Sequence, residues 1–149
     1  MRAAWVNVVH APDHLTVRVL RPQCEIVCRN VAQPVDVKTL DASIAHPVDF
    51  IKIDVEGSEL LVFQGAERIL VNDRPSILVE INPSNLMRTS GVSATEFGRF
   101  VEGLDYCLYD ITASGGCGRR IEPSELSKIQ TLVNMAMLPK ERIELTAAS

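Results

Sequence analysis

Glycine is missing from the start of the chain: all eight glycines lie at or after Gly57. The stretch before it therefore offers no glycine-rich turn of the kind that lets backbone approach a cofactor closely. A basic excess is missing too. Fifteen Lys and Arg stand against 19 Asp and Glu, for a formal net charge of −4. That balance lacks the electrostatic footprint of a nucleic-acid binder. No apolar run approaches the roughly 18 residues of a membrane span. The opening MRAAWVNVVHAPDH carries one arginine and an apolar patch broken by Asn7, His10 and Pro12, a poor signal peptide. Zinc-ligand spacing is also lacking. Three residues separate Cys24 from Cys28, and no histidine stands near them at finger spacing. With Cys107 and Cys117 they read as free thiols in or near the core of a cytoplasmic protein. There is no internal repeat and no low-complexity segment.

What is present describes a soluble globular chain. It has 149 residues, 46% apolar and 23% charged. A single domain of this size buries roughly 70% of its unfolded surface. Residues 4–10 and 14–20 alternate or cluster apolar side chains as strands do. Ala11, Pro12 and Asp13 between them suit a hairpin. A third short strand is expected at 25–29, and a helical turn at 39–45. Residues 48–54 (VDFIKID) then read as a strand and 58–72 as a helix. Ser58 can cap that helix, Glu59 sits in its first turn, and Leu60, Phe63, Ala66 and Leu70 repeat at helical spacing. A strand follows at 76–82, a helix at 93–103 capped by Ser93, and a strand at 105–111. Residues 114–118 read as a flexible loop, 123–128 as a helical turn, 131–138 as a last strand and 140–149 as a polar tail prone to fraying. Strand–helix alternation with nearly continuous apolar strands implies an α/β fold with a mostly parallel sheet. The last two strands suit an antiparallel pair.

The chemistry gathers where the strand at 48–54 ends. In open α/β sheets, ligands bind beyond the carboxyl ends of the strands. Asp54 ends this strand, Glu56 follows in the turn, and Gly57 lets the backbone bend into the helix. Glu80 and Asn82 end the next strand. If the two strands are parallel neighbours, the acids share one rim. They can then bind a cationic or hydroxyl-bearing ligand, act as a general base, or hold a divalent cation. Each has a plainer role. Glu59 suits a helix N-terminal charge, Glu80 a salt-bridge partner for Lys52 or an arginine, and Asp54 an acceptor for turn amides. His46, before Pro47, is a base only if it folds near this rim. No residue is assigned to a metal.

VDFIKIDVEGSELLVFQGAERIL and RPSILVEI, preceded by VKTLDASI, resemble the FkbM-type methyltransferase family. The likeness runs from about residue 35 to residue 138, and IKIDVEG-E followed by GA is its most specific part. It implies the C-terminal part of a Rossmann-like class I methyltransferase fold, with a final antiparallel pair. It implies S-adenosylmethionine as cofactor and methylation of a hydroxyl on a small molecule or sugar. It places Asp54 and Glu56 at the methyl-transfer site, Asp54 and Gly57 against the cofactor, and Glu80 and Asn82 on the substrate side. The chain then divides into a hairpin segment (1–34), the partial methyltransferase domain (35–139) and the polar tail (140–149). The family's glycine-rich turn and ribose-binding acid have no counterpart before Gly57. A truncation, an alternative start or a divergent replacement of the N-terminus would each account for this, and the chain as given is expected to bind S-adenosylmethionine weakly or not at all.

The alternatives are a non-catalytic binding or interaction module derived from a methyltransferase, and a divalent-cation enzyme using Asp54, Glu56 and Glu80. Strand 48–54 has no obvious neighbour on its far side, so either the N-terminal hairpin or a second copy of the chain is expected on that edge. No nucleic-acid or membrane partner is expected.

Overall fold

The computed structural model describes residues 3–11, 14–20 and 38–147, and the side chains of residues 38–143. The strand expected at 25–29, with Cys24 and Cys28, lies outside the described residues. The elements in chain order are β1 (Ala3–Ala11), β2 (His14–Leu20), α1 (Leu40–Ser43), β3 (Phe50–Asp54), α2 (Glu59–Gln64), a π-helical turn (Ile69–Asp73), β4 (Ser76–Ile81), α3 (Pro83–Ser90), α4 (Ala94–Gly103), β5 (Tyr106–Ile111), β6 (Cys117–Ile121), a 3-10 helix (Pro123–Lys128), β7 (Val133–Pro139) and α5 (Lys140–Ala147).

The strands form one sheet in the order β2-β1-β3-β4-β7-β5-β6. This is an α/β fold, but the expectation of a mostly parallel sheet needs correcting. Among β3 to β7, only β3 and β4 are parallel; β4–β7, β5–β7 and β5–β6 are antiparallel. The β1–β2 hairpin adds one further parallel pairing, β1 with β3. The reason is connection length. Parallel neighbours need a crossover, which α2 and the π-turn supply between β3 and β4. Residues 112–132 supply only a tight hairpin and a 3-10 helix, so β6 and β7 return antiparallel. The hairpin turn closes through Thr112, whose amide donates to the Gly116 carbonyl at 2.9 Å. The segment read as a flexible loop thus runs into a strand, β6.

Alternation decides which side of the sheet is covered. Ile51 and Ile53 on β3, Ile77, Val79 and Ile81 on β4, and Met135 and Met137 on β7 are all buried. They pack with Phe63, Ile69, Leu70, Leu86, Phe97 and Val101 of the helices in one cluster. Each such side chain stabilises by about 1.5–3 kcal/mol when fully buried. Phe63 meets Phe97 edge to face, ring centroids 5.5 Å apart. The intervening residues Lys52, Asp54, Leu78 and Glu80 point the other way and are only half-buried.

The helix expected over 58–72 is broken at Gly65 and Ala66. The Gly65 carbonyl accepts from the Asp41 amide at 3.0 Å instead of continuing the helix. The Asp41 carboxylate then receives the amides of Arg68 and Ile69, at 2.8 and 3.1 Å, restarting the turn. Ser58 makes no capping bond; its hydroxyl is buried without a partner. The 140–149 segment, read as a fraying tail, carries α5. Arg74 clamps Glu141 through two bonds of 2.7 and 2.9 Å, stacks 4.6 Å from the Tyr106 ring centroid, and donates to the Leu104 and Asp105 carbonyls. This pair holds Glu141 down to about 2. Cys107 is buried as expected, whereas Cys117 is exposed.

Candidate active site

The site begins with a backbone reversal. After Asp54 the chain turns through Glu56 at φ 51° and Gly57 at φ 102°, and Ser58 donates back to the Val55 carbonyl at 3.1 Å. A left-handed Glu56 costs roughly 1–2 kcal/mol, so neighbours must hold it. Asn85 Nδ2 donates to Glu56 Oε2 at 2.8 Å. Gly57 lies so close to α3 that a Cβ there would collide with the Asn85 carbonyl. Its own carbonyl accepts from Ser90 Oγ at 2.5 Å. Its amide donates to Glu59 Oε1 at 3.0 Å.

Glu59 was read as a helix N-terminal charge, and it does stand in the first turn of α2. It is also 0% exposed, and Oε2 has no hydrogen-bond partner. Burial raises its pKa, the Gly57 amide opposes that rise, and the charges of Glu56 and Asp54 add to it. The sequence held a signal for this residue: a carboxylate two positions after a glycine that turns left-handed can reach back to that glycine's amide.

β3 and β4 are parallel neighbours, with Ile53 opposite Val79, so Asp54 and Glu80 end on one rim. Asp54, Glu56 and Glu80 each place a carboxylate oxygen within 4.8 Å of the others. Lys52 Nζ approaches Asp54 Oδ2 at 3.6 Å, so Lys52 pairs with Asp54 rather than with Glu80. The Glu80 carboxyl is raised above its ordinary value, first by burial and then by the charges of Asp54 and Glu56; Lys52 partly offsets this, and a hydrogen bond with Asp54 adds to the rise. Such a group can accept a proton from a hydroxyl, and the trio together can complement a cation.

The other expected residues divide. Gly57 shapes the turn. The Asn82 side-chain oxygen caps α3, accepting the amides of Ser84 and Asn85 at 3.1 and 3.3 Å. His46 precedes β3 and so lies at the opposite end of that strand from Asp54; it is exposed, and its Nδ1 is 3.2 Å from the Pro47 carbonyl. Two residues on the same rim were not singled out. Asn134 is the partner of Glu80 across β4–β7, and Asp110 is the partner of Met135 across β5–β7. The edge of β3 that stood open in the sequence is taken by β1, whose Asn7 is in register with Asp54.

No helix among the described residues is long and apolar enough to cross a membrane. No curated protein and no solved structure matches the chain. The family model described as the methyltransferase FkbM domain matches residues 27–111, which takes in β3, the acid turn, β4 and α3 and ends on the last residue of β5. With more than half of its length matched, and with the acid rim inside the matched part, the chain belongs to the FkbM methyltransferase-domain family.

Proposed function

We propose that this chain takes part in S-adenosylmethionine-dependent methylation of a hydroxyl on a small molecule or sugar. One observation supports this above the others: Asp54, Glu56 and Glu80 converge within 4.8 Å at the carboxyl ends of β3 and β4. When bound, S-adenosylmethionine supplies an electrophilic methyl on a positively charged sulfur. The rim carboxylates fit that cationic end by charge. Glu80, with its raised pKa, takes the proton from the acceptor hydroxyl. Asp54, braced by Lys52, stands beside it on the same rim. Glu56 is held by Asn85 and narrows the approach.

A second reading has its own observation. Among the described residues no glycine-rich turn follows β1; the chain folds back there as the β1–β2 hairpin. This favours a binding module that retains the acid rim without the cofactor cradle. Isothermal calorimetry with S-adenosylmethionine, followed by transfer of labelled methyl to a panel of alcohols, separates the two. Micromolar cofactor binding that weakens in Asp54→Asn supports the enzyme. Absence of binding leaves the module.

A further inference from the structure

The acid rim continues into a second feature. An open cleft of about 420 Å³ wraps the ends of β5, β6 and β7, lined mainly by Ile111, Ile121, Ile129 and Val133, with Asp110 and Asn134 as its polar members. Its volume lies in the range of small-ligand sites, roughly 300–1,000 Å³. The register joins it to the acids: Glu80 faces Asn134, and Ile81 faces Val133, across the β4–β7 pair. The alternation that buries Ile81 turns Glu80 and Asn134 to the other face from Val133, so the cleft and the acids meet only where the strands end.

The lining gives the chemistry. Four branched apolar side chains offer an aliphatic or aromatic body a dry surface, and few polar groups stand there to replace the water around a bare sugar. Asp110 is one polar group of the lining. Its Oδ1 is shielded from solvent and has no hydrogen-bond partner. A Cβ at Gly118 would run into this carboxylate, so glycine there makes the room it occupies. That oxygen lies against Gly118 and out of reach of the cleft; Asp110 and Asn134 remain the polar residues that line it.

We infer that this cleft is a binding site for a small amphipathic alcohol, whose apolar body lies against Ile111, Ile129 and Val133 while its hydroxyl stays with Asp110 and Asn134 at the rim. Under the proposed function this compound is the methyl acceptor. The cleft itself stands on its lining.

The test uses the full chain, amide-resolved NMR, and two probes: 1-naphthol and glucose. 1-Naphthol is expected to shift the amides of residues 110–111, 129 and 133–135, and glucose to leave them in place. Val133→Lys is expected to weaken 1-naphthol binding about tenfold or more, a loss of about 1.4 kcal/mol. Ile129→Lys, in the half-buried loop after the 3-10 helix, replaces it should Val133→Lys fail to fold. Shifts confined to other regions, equal shifts with glucose, or unchanged 1-naphthol affinity in the folded variant would overturn the assignment. Cofactor calorimetry keeps the two proposals apart. 1-Naphthol binding without S-adenosylmethionine binding keeps the cleft and removes methyl transfer; the reverse result removes the cleft and leaves methyl transfer standing.

Discussion

The two halves of the rim are built by opposite means. Between β3 and β4, charged side chains are crowded together and the backbone is locked around them. Glu56 and Gly57 turn left-handed, and Asn85, Ser90 and Glu59 each bond to that turn. Between β5, β6 and β7, a hairpin and a 3-10 helix leave an open apolar cleft with Asp110 and Asn134 as its polar members. Like charges held close need a rigid frame, because each raises the other's pKa only while neither can move away. An apolar cleft needs no such frame, since burial is non-directional. The first half is suited to chemistry and the second to holding a molecule in place.

The comparison breaks most readily at Gly57. Gly57→Ala puts a Cβ against the Asn85 carbonyl at a φ of 102°. Backbone strain and overpacking each cost about 1–3 kcal/mol, so a loss of roughly 3 kcal/mol or more is expected in urea unfolding. Gly118→Ala tests the other half. There the obstacle is a carboxylate on a side chain that can rotate, and a loss of only about 1 kcal/mol is expected. Equal losses at both positions would erase the contrast between a locked half and an open one.

The acid half also predicts a change in rate. Under the proposed function, Glu80→Gln removes the proton acceptor and should lower methyl transfer about a hundredfold. In the parent chain, activity should rise with pH through the raised Glu80 value, and in the variant that rise should vanish. Val133→Lys, in the other half, should mainly raise KM for an apolar alcohol and leave the pH profile unchanged. A variant at Glu80 that altered KM alone would transfer it from proton acceptor to ligand contact.

Legibility in the sequence followed the same division. Asp54 and Glu80 sharing a rim was readable because both end apolar strands joined by a helical crossover, and parallel neighbours follow from that. The hairpin at β1–β2 was readable from alternation around Pro12. β6 was not, because Cys117–Ile121 reads CGRRI, four of its five residues are at least partly exposed, and it borders a glycine-rich turn. Helix α3 was missed because PSNLMRTS has a weak apolar face; its start is fixed by the Asn82 cap, and its place by the Gly57 turn packed beneath it. α5 was missed because its described anchors come from distant chain: Arg74 binds Glu141, and Asp105 binds Lys140. Local pattern carries no information about a partner dozens of residues away. Glu59 was placed correctly at a helix start, but its burial went unseen for a related reason, since tertiary packing sets it.

Glu59→Gln gives a small effect with a sharp sign. The folded pKa of Glu59 is raised above 4.5, mainly by burial. The neutral form is thus favoured in the folded state, and the unfolded chain binds fewer protons than the folded one between the two pKa values. Stability from this group is full below pH 4.5 and is lost as pH rises through the folded value. Glu141 has the opposite sign: its folded pKa falls to about 2, so its contribution is present above 4.5 and lost as pH falls toward 2. These two windows do not overlap, but Glu80 is raised as well, so the Glu59 contribution is read from the difference between Glu59→Gln and the parent. Glu59→Gln keeps an acceptor for the Gly57 amide but no longer charges. At pH 4 it should match the parent within about 1 kcal/mol, and at pH 8 it should be the more stable protein by urea unfolding. Glu59→Ala, which strips the Gly57 amide of its partner, should be less stable by about 1–3 kcal/mol at both. A constant gap between Glu59→Gln and the parent from pH 4 to pH 8 would mean that this carboxyl is not buried under the acid turn at all, and the lock that separates the two halves would have to be sought in Asn85 and Ser90 alone.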